Sequence, residues 1–252
     1  MSDLVSVILP AYNCEKTLAD TLESVLNQTY RDIEVILIND AAKDSTHVIC
    51  ESFASKDPRI RYYLNSQNIG TLETRVRAIN LARGEWIAFV DSDDIWSHDK
   101  LEKQFALQKA TNCDLIYTAS SFINENGEPF KWIMHVPEQV TYKKLLRQNI
   151  ISNSSVLMRK RDYLKYSPFS ERGNDMHEDF AMWLDILRHG SFAVGIDQPL
   201  LRYRMSAGSK SGNKLKSFIM TFKVYMYEGL SVFETLYYMC MYVMNGIKKY
   251  FF

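Results

Sequence analysis

Three carboxylates stand within four positions at Asp91-Ser92-Asp93-Asp94, directly after Trp86-Ile87-Ala88-Phe89-Val90, an apolar run of strand length and composition. Like charges this close repel one another and resist burial. A divalent cation at the strand's end, or a ligand carrying one, relieves that repulsion. Magnesium and manganese suit such a place, because both take oxygen ligands and bridge carboxylates to substrate phosphates. A solvated acidic turn is the plainer reading of an isolated Asp-x-Asp. A second acidic pair, Glu178-Asp179, precedes the apolar spacing Phe180, Trp183 and Leu187. On residue type alone it reads as first-turn acids that complement a helix dipole.

The elements that must position these acids alternate between strand and helix through the first half of the chain. Residues 4–9 form a Val/Ile/Leu run stopped by Pro10, and residues 33–38 form a second one ending at Asn39-Asp40. Both read as buried strands. Residues 60–64 predict a shorter strand. Between them, Leu18, Leu22, Val25 and Leu26 share one helical face, and a second helix runs over about 45–55 with Asp44 or Ser45 as N-cap. A third, over about 71–83, places Leu72, Val76, Ile79 and Ala82 together, with Gly84 as its C-cap. A fourth covers about 98–109. Strands joined by helices of this length imply right-handed crossovers and a parallel sheet. Ligands bind such sheets beyond the carboxyl ends of the strands. Pro10-Ala11-Tyr12-Asn13, Asn39-Asp40 and Asp91 to Asp94 therefore converge on one crevice.

The second half is less regular. Residues 115–123 and 130–136 flank Asn126-Gly127, a hairpin signal. A helix around 142–147, a strand near 155–158 and a helix over 180–188 closed by Gly190 follow. From about Lys214 onward the pattern is helical.

Composition narrows the function. Thirty basic and thirty acidic residues cancel, so the electrostatic footprint of nucleic-acid binding is missing. Cys14, Cys50, Cys113 and Cys240 are far apart and form no Cys-x-x-Cys pair, which argues for reduced thiols in a cytoplasmic setting. The opening residues lack the basic-then-apolar order of a signal peptide. Neither a P-loop nor Gly-x-Gly-x-x-Gly is present, and Gly-x-Ser-x-Gly is missing too. A phosphate cradle of backbone amides is thus not expected, and a metal must neutralise any diphosphate.

In order along the chain stand Val5-Ser6-Val7-Ile8-Leu9-Pro10-Ala11-Tyr12-Asn13, Ser24-Val25-Leu26-Asn27-Gln28-Thr29-Tyr30 and Ile38-Asn39-Asp40. After these come Asn68-Ile69-Gly70, Ala82-Arg83-Gly84-Glu85, Asp91-Ser92-Asp93-Asp94 and His177-Glu178-Asp179-Phe180 with Trp183. Over roughly residues 4–205 this series resembles glycosyltransferase family 2, of the GT-A fold. The tail resembles the bacterial members that build capsule, O-antigen or teichuronic-acid chains.

The resemblance implies an α/β GT-A domain over residues 1–210, a Rossmann-like and mostly parallel sheet flanked by helices, with a helical tail over 211–252. It implies an inverting, manganese- or magnesium-dependent hexosyltransferase using a UDP-sugar. Asp40 would then read the base, with Tyr12 and Pro10 walling base and ribose and Arg75 near the nucleotide. Asp91 and Asp93 would hold ribose and metal, with Ser92 between them, and Asp94 would be a direct metal ligand. Asp179 would be the general base, with Glu178 beside it; a single displacement needs one carboxylate on the face opposite the leaving diphosphate.

Each residue has a plainer role as well. Asp40 suits a helix cap, Trp183 a core position, His177 a local hydrogen bond, and Arg75 and Arg77 a solvent-facing helix. Two departures stand out: Asn39-Asp40 where relatives often carry two acids, and Ser206 where many place a histidine after Arg202-Tyr203-Arg204. Arg204 and Arg202 then remain candidates for a diphosphate or an anionic acceptor. Gln-x-x-Arg-Trp is missing, which favours one sugar per encounter.

The tail's longest uncharged run, residues 235–247, falls short of the roughly 20 residues a spanning helix needs. With Lys248-Lys249 near its end it reads either as an interfacial helix at the inner face of the cytoplasmic membrane, near a lipid-linked saccharide acceptor, or as a helix docked on protein. Two rival functions share the acids: a nucleotidyltransferase, and a carbohydrate-binding scaffold on an inactive transferase fold.

Overall fold

A computed structural model describes residues 3–166, 176–189, 192–205 and 214–251. Strand β1 (Val5–Ala11) is buried except at Pro10, and β2 (Ile33–Asn39) is buried throughout. Continuous burial is what parallel strands covered on both faces require. β1 pairs in parallel with β2 on one side and with β4 (Trp86–Phe89) on the other, while β2 pairs with β3 (Ile60–Leu64). Helices α1 (Leu18–Leu26), α2 (Thr46–Lys56) and α3 (Thr71–Leu81) connect them.

The remaining strands extend this sheet to ten among the described residues. β5 (Ile95–Trp96) is followed by α4 (Lys100–Thr111), β6 (Leu115–Ile123) and β7 (Pro129–Met134). Then come β8 (Gln139–Val140), α5 (Tyr142–Leu145), β9 (Leu157–Arg159), α6 (Lys160–Tyr166), α7 (Glu178–Arg188) and β10 (Ala193–Arg204). The order is β3-β2-β1-β4-β9-β6-β10-β5, with β7 on β6 and β8 on β10. β9 runs antiparallel to both β4 and β6. Two reversals cancel, and β10 is parallel to β6, so β6 and β10 end on the same sheet edge as β1, β2 and β4.

Each sheet face carries its own core. Ile8, Ile36, Phe89 and Tyr117 pack with Ile79 of α3 and with Phe180 and Trp183 of α7. On the other face Val7, Val35 and Trp86 pack with Leu22 of α1, Cys50 of α2 and Phe105 of α4. The core reading of Trp183 therefore holds.

Gly84 caps no helix. α3 ends at Leu81 with Ala82 extended, and a Cβ at Gly84 would lie 2.4 Å from the Leu4 carbonyl, so glycine is needed where two backbones touch. Ser45 occupies the N-cap position of α2, while Asp44 Oδ1 accepts from the Thr46 amide. The 126–127 turn forms, with Gly127 at φ 84°. The strands β5, β8 and β10 and the helix α6 were not expected. The tail is two helices, α8 (Lys214–Tyr227) and α9 (Val232–Phe251), separated at Gly229 (φ 70°). Gly190 and Ser206 lie outside the described residues.

One face of α8 docks on the domain: Met220, Val224 and Tyr225 are buried, and Tyr225 donates to the Leu146 carbonyl at 2.6 Å. Leu215, Phe218, Ile219, Phe222 and Met226 of α8 and Val232, Phe233, Leu236 and Tyr237 of α9 are exposed. No helix among the described residues is long and apolar enough to cross a membrane.

Candidate active site

The loops after β1 and β2 are bonded to each other. Asn13 Oδ1 accepts from the Lys43 amide, Asp44 Oδ2 from the Glu15 amide, and Glu15 Oε2 from the Ser45 amide. This reciprocal lacing holds Asn13 at φ 47° and Ala41 at φ 57°. Side chains other than glycine seldom adopt such angles, and residues held there cluster at functional sites. Tyr12 is held here with 44% of its surface open, and Pro10 is partly exposed beside it.

The acidic loop after β4 is held from several sides. The Thr17 hydroxyl donates to the Ser92 carbonyl at 2.9 Å, and the Asp91 amide donates to Ser154 Oγ at 3.0 Å. Asp93 is pushed up to about 6 by burial and then by the charge of Asp91, with Arg204 opposing. Asp94 is fully buried, its Oδ1 accepting from the Arg204 amide at 3.0 Å and its Oδ2 without a hydrogen-bond partner. Burial, then the charges of Asp93 and Asp91, raise its carboxyl well above the ordinary range. Asp94 is thus sealed beneath the loop, whereas Asp91 and Asp93 are partly exposed.

Arg75 is neither solvent-facing nor free. Its side chain is 9% exposed, with one nitrogen 2.5 Å from Asp91 Oδ1 and another 3.3 Å from Glu178 Oε1. Burial works against its charge, but Asp91 and Glu178 outweigh that and hold the guanidinium above its ordinary pKa. One cation thus joins the acid at the end of β4 to the first turn of α7. Arg77 bonds the Leu64 carbonyl and the Asn65 side chain instead. Glu178 faces Arg75, whereas Asp179 is partly exposed and accepts from the Phe180 amide at 2.8 Å. Burial and then Glu178 raise the Asp179 carboxyl, with His177 and Arg75 pulling it back. A cleft lined by Leu72, Arg75, Asn153, Glu178, Asp179 and Trp183 opens there.

Asp40 is buried and caps neither the helix after its own loop nor α3; it holds the loop that enters α3. Its Oδ1 accepts from Asn65 Nδ2 at 2.6 Å and the Ile69 amide at 2.9 Å, and its Oδ2 from the Gly70 amide at 2.9 Å. Arg204 directs its guanidinium to the carbonyls of Asp93, Asn124 and Glu125, with Asp20 at 3.8 Å. It clamps the acidic loop to the turn between β6 and β7. Arg202 is exposed on the same strand.

The sequence reading missed the turn Asn153–Ser155. Asn153 Nδ2 reaches Asp91 Oδ1 at 3.4 Å, and the Ser154 carbonyl accepts from Trp96 Nε1 at 2.8 Å. A run of four polar residues, Ser152 to Ser155, before a buried strand was the available signal.

Asp91 and Asp93 are hard oxygen donors whose mutual repulsion a divalent cation relieves. Among the described residues no cage of three acidic, histidine or cysteine side chains exists. Magnesium or manganese needs only one or two protein carboxylates and completes its shell with water and substrate phosphates, so Asp91 and Asp93 are the residues that would hold one.

The family model described as glycosyl transferase family 2 matches residues 6–172. A Bacillus subtilis protein named as a teichuronic acid biosynthesis glycosyltransferase is 33% identical over 247 residues, 98% of this chain and 97% of its own. The Escherichia coli UDP-Glc:alpha-D-GlcNAc-diphosphoundecaprenol beta-1,3-glucosyltransferase WfgD is 33% identical over 251 residues, 99% of this chain and 96% of its own. The fold of a Pyrobaculum calidifontis mannosyltransferase, solved with GDP-Man and Mn2+, superposes with a TM-score of 0.70 at 16% identity, covering 94% of this chain and 68% of that one.

Proposed function

From the membership of this chain in glycosyltransferase family 2, we propose that it transfers a hexose from a UDP-sugar to a saccharide carried on a polyprenyl diphosphate. The transfer inverts the anomeric centre, adds one sugar per encounter and serves a bacterial surface polysaccharide. The name of the Escherichia coli relative, with UDP-glucose as donor and a diphosphoundecaprenol-linked sugar as acceptor, supports this reading. The observation that carries it is the Arg75 bridge, which joins Asp91 of the acidic loop to Glu178 in the first turn of α7.

In this reading Tyr12 and Pro10 flank the base. Asp40 uses three of about four carboxylate acceptor positions within the protein, leaving one for a uracil imide. Asp91 and Asp93, with Ser92 between them, would hold magnesium or manganese, whose chemistry is Lewis-acid stabilisation of the departing diphosphate. Asp179 takes the proton of the acceptor hydroxyl. Glu178 positions Arg75, and Arg204 positions the acidic loop.

The exposed apolar stripes of α8 and α9, bordered by Lys216 and Lys223, support peripheral contact with the cytoplasmic membrane's inner face, where a lipid-linked acceptor lies. The tail shares the domain's core through Val224, Tyr225 and Met239, so the membrane-contacting role of residues 211–252 is proposed for a part packed on the transferase domain.

A panel of UDP-sugars with manganese, read by calorimetry and by UDP release with lipid-linked acceptors, tests the assignment. At least one UDP-hexose binds and turns over. Failure of every nucleotide sugar to bind overturns it.

A further inference from the structure

We propose that the α8–α9 hairpin is a positioning element for the base, acting through a hydroxyl relay from Tyr242 and Ser217 to His177. The inference rests on the assignment of Asp179 made above. His177 is the N-cap residue of α7, and its carbonyl accepts the first helical bond, from the Ala181 amide at 3.1 Å. Its side chain does not cap the helix. Nε2 instead lies 3.1 Å from Ser217 Oγ on α8, and that oxygen lies 3.2 Å from the Tyr242 hydroxyl on α9. Ser217 is 8% exposed, so little water competes for its hydroxyl.

Three helices thus meet in one chain of hydrogen bonds, two residues before the group that must face the acceptor. The geometry explains why α8 and α9 matter beyond their apolar contacts. The helix that carries Glu178 and Asp179 has its entry held by the tail. Arg75 and Glu178 restrain the same turn from the sheet side, so the base is fixed from two directions. Ser217 and Tyr242 are positioning residues in this scheme, since neither touches the reacting atoms. Misplacing a catalytic group by about 1 Å costs on the order of 100-fold in rate.

Tyr242→Phe and Ser217→Ala each remove one hydroxyl, and Ser217→Thr retains it. The expected result is a fall in kcat of roughly 10- to 100-fold for Tyr242→Phe and Ser217→Ala, with the donor KM unchanged and recovery in Ser217→Thr. Independently of activity, exchange of the Ala181 amide, which donates to the His177 carbonyl, becomes about fivefold faster in both, as expected for one lost hydrogen bond. Unchanged exchange together with unchanged kcat overturns the proposal. So does an equal rise in donor KM with a lower Tm, which marks general damage. If the wild-type protein binds no nucleotide sugar, the assignment of function fails, while the exchange measurement still decides the relay.

Discussion

Replacing Asp179 with Asn keeps the size of the side chain and the oxygen that accepts from the Phe180 amide, but it removes the base. General bases contribute about 100- to 10,000-fold, and at about 1.36 kcal/mol per tenfold this is roughly 2.7 to 5.4 kcal/mol of barrier. Nucleotide binding stays near wild type, because the donor acids are on another loop. The pH profile gives a sharper test. Burial and Glu178 raise the Asp179 carboxyl, and a base works only when ionised. Turnover therefore fails on the acid side at a pH above the ordinary Asp value of about 3.9. Glu178→Gln deletes the neighbouring negative charge and releases Arg75 from one of its two acids. Both changes favour the Asp179 carboxylate, so the acidic limb of kcat moves to lower pH. The assay is UDP release at saturating donor and constant ionic strength, with calorimetric nucleotide binding as the control for folding. Wild-type turnover in Asp179→Asn, or an acidic limb that stays or moves upward in Glu178→Gln, refutes the reasoning.

Arg75→Met strips a cation from a pair in which both side chains are 9% exposed. Breaking such a pair costs about 3–5 kcal/mol, and at roughly 2–4 °C per kcal/mol the Tm falls by about 6–20 °C. The double variant with Glu178→Gln recovers most of it; a calorimetric loss below about 1 kcal/mol in the single variant counts against the bridge. Lys100 is fully buried against Trp96 and donates to Gln104 Oε1 at 2.9 Å, and burial pulls its pKa well below the ordinary lysine value. The folded state then binds fewer protons than the unfolded one. Stability climbs with pH, by at most about 1.4 kcal/mol per unit, until the unfolded value near 10.4. Denaturant titrations of Lys100→Met at neutral and alkaline pH show that slope gone, and an unchanged slope assigns it elsewhere. Phe233 and Leu236 are exposed, so Phe233→Glu with Leu236→Glu leaves the fold intact and moves the protein out of the membrane fraction; an unaltered distribution speaks against lipid contact.

The parallel half of the sheet was legible because strands buried on both faces must be apolar throughout, and β1, β2 and β4 announce themselves in that way. The rule that ligands lie beyond strand ends then brings Tyr12, Asp40 and Asp91 to one edge from the sequence alone. β10 was hidden for a physical reason. Asp197-Gln198-Pro199 interrupts its apolar run, and the strand accommodates them through register shifts on either side of Pro199, so neither alternation nor a continuous run survives. The partners of the acids were hidden for another. Arg75 meets Glu178 across 103 positions and Asp91 meets Asn153 across 62, and no local spacing rule reaches that far. Side-chain type marks a residue as able to bind or titrate, but the choice between ligand and clamp depends on what surrounds it. Asp93 and Asp94 are adjacent and chemically identical, yet one is held near pH 6 at the crevice while the other is sealed beneath it against Arg204. Arg204 illustrates the same division. An arginine at a strand end suggests anion binding, whereas three backbone carbonyls take up this one. The burial that holds Asp93, Asp94 and Asp179 above the ordinary carboxylate range also makes their ionised forms costly in the folded state. By proton linkage these three acids lower stability as pH rises through their raised values, opposite in sign to Lys100. Carboxyls perturbed in this way cluster at functional sites, which supports the proposed reading over a scaffold with only packing to maintain.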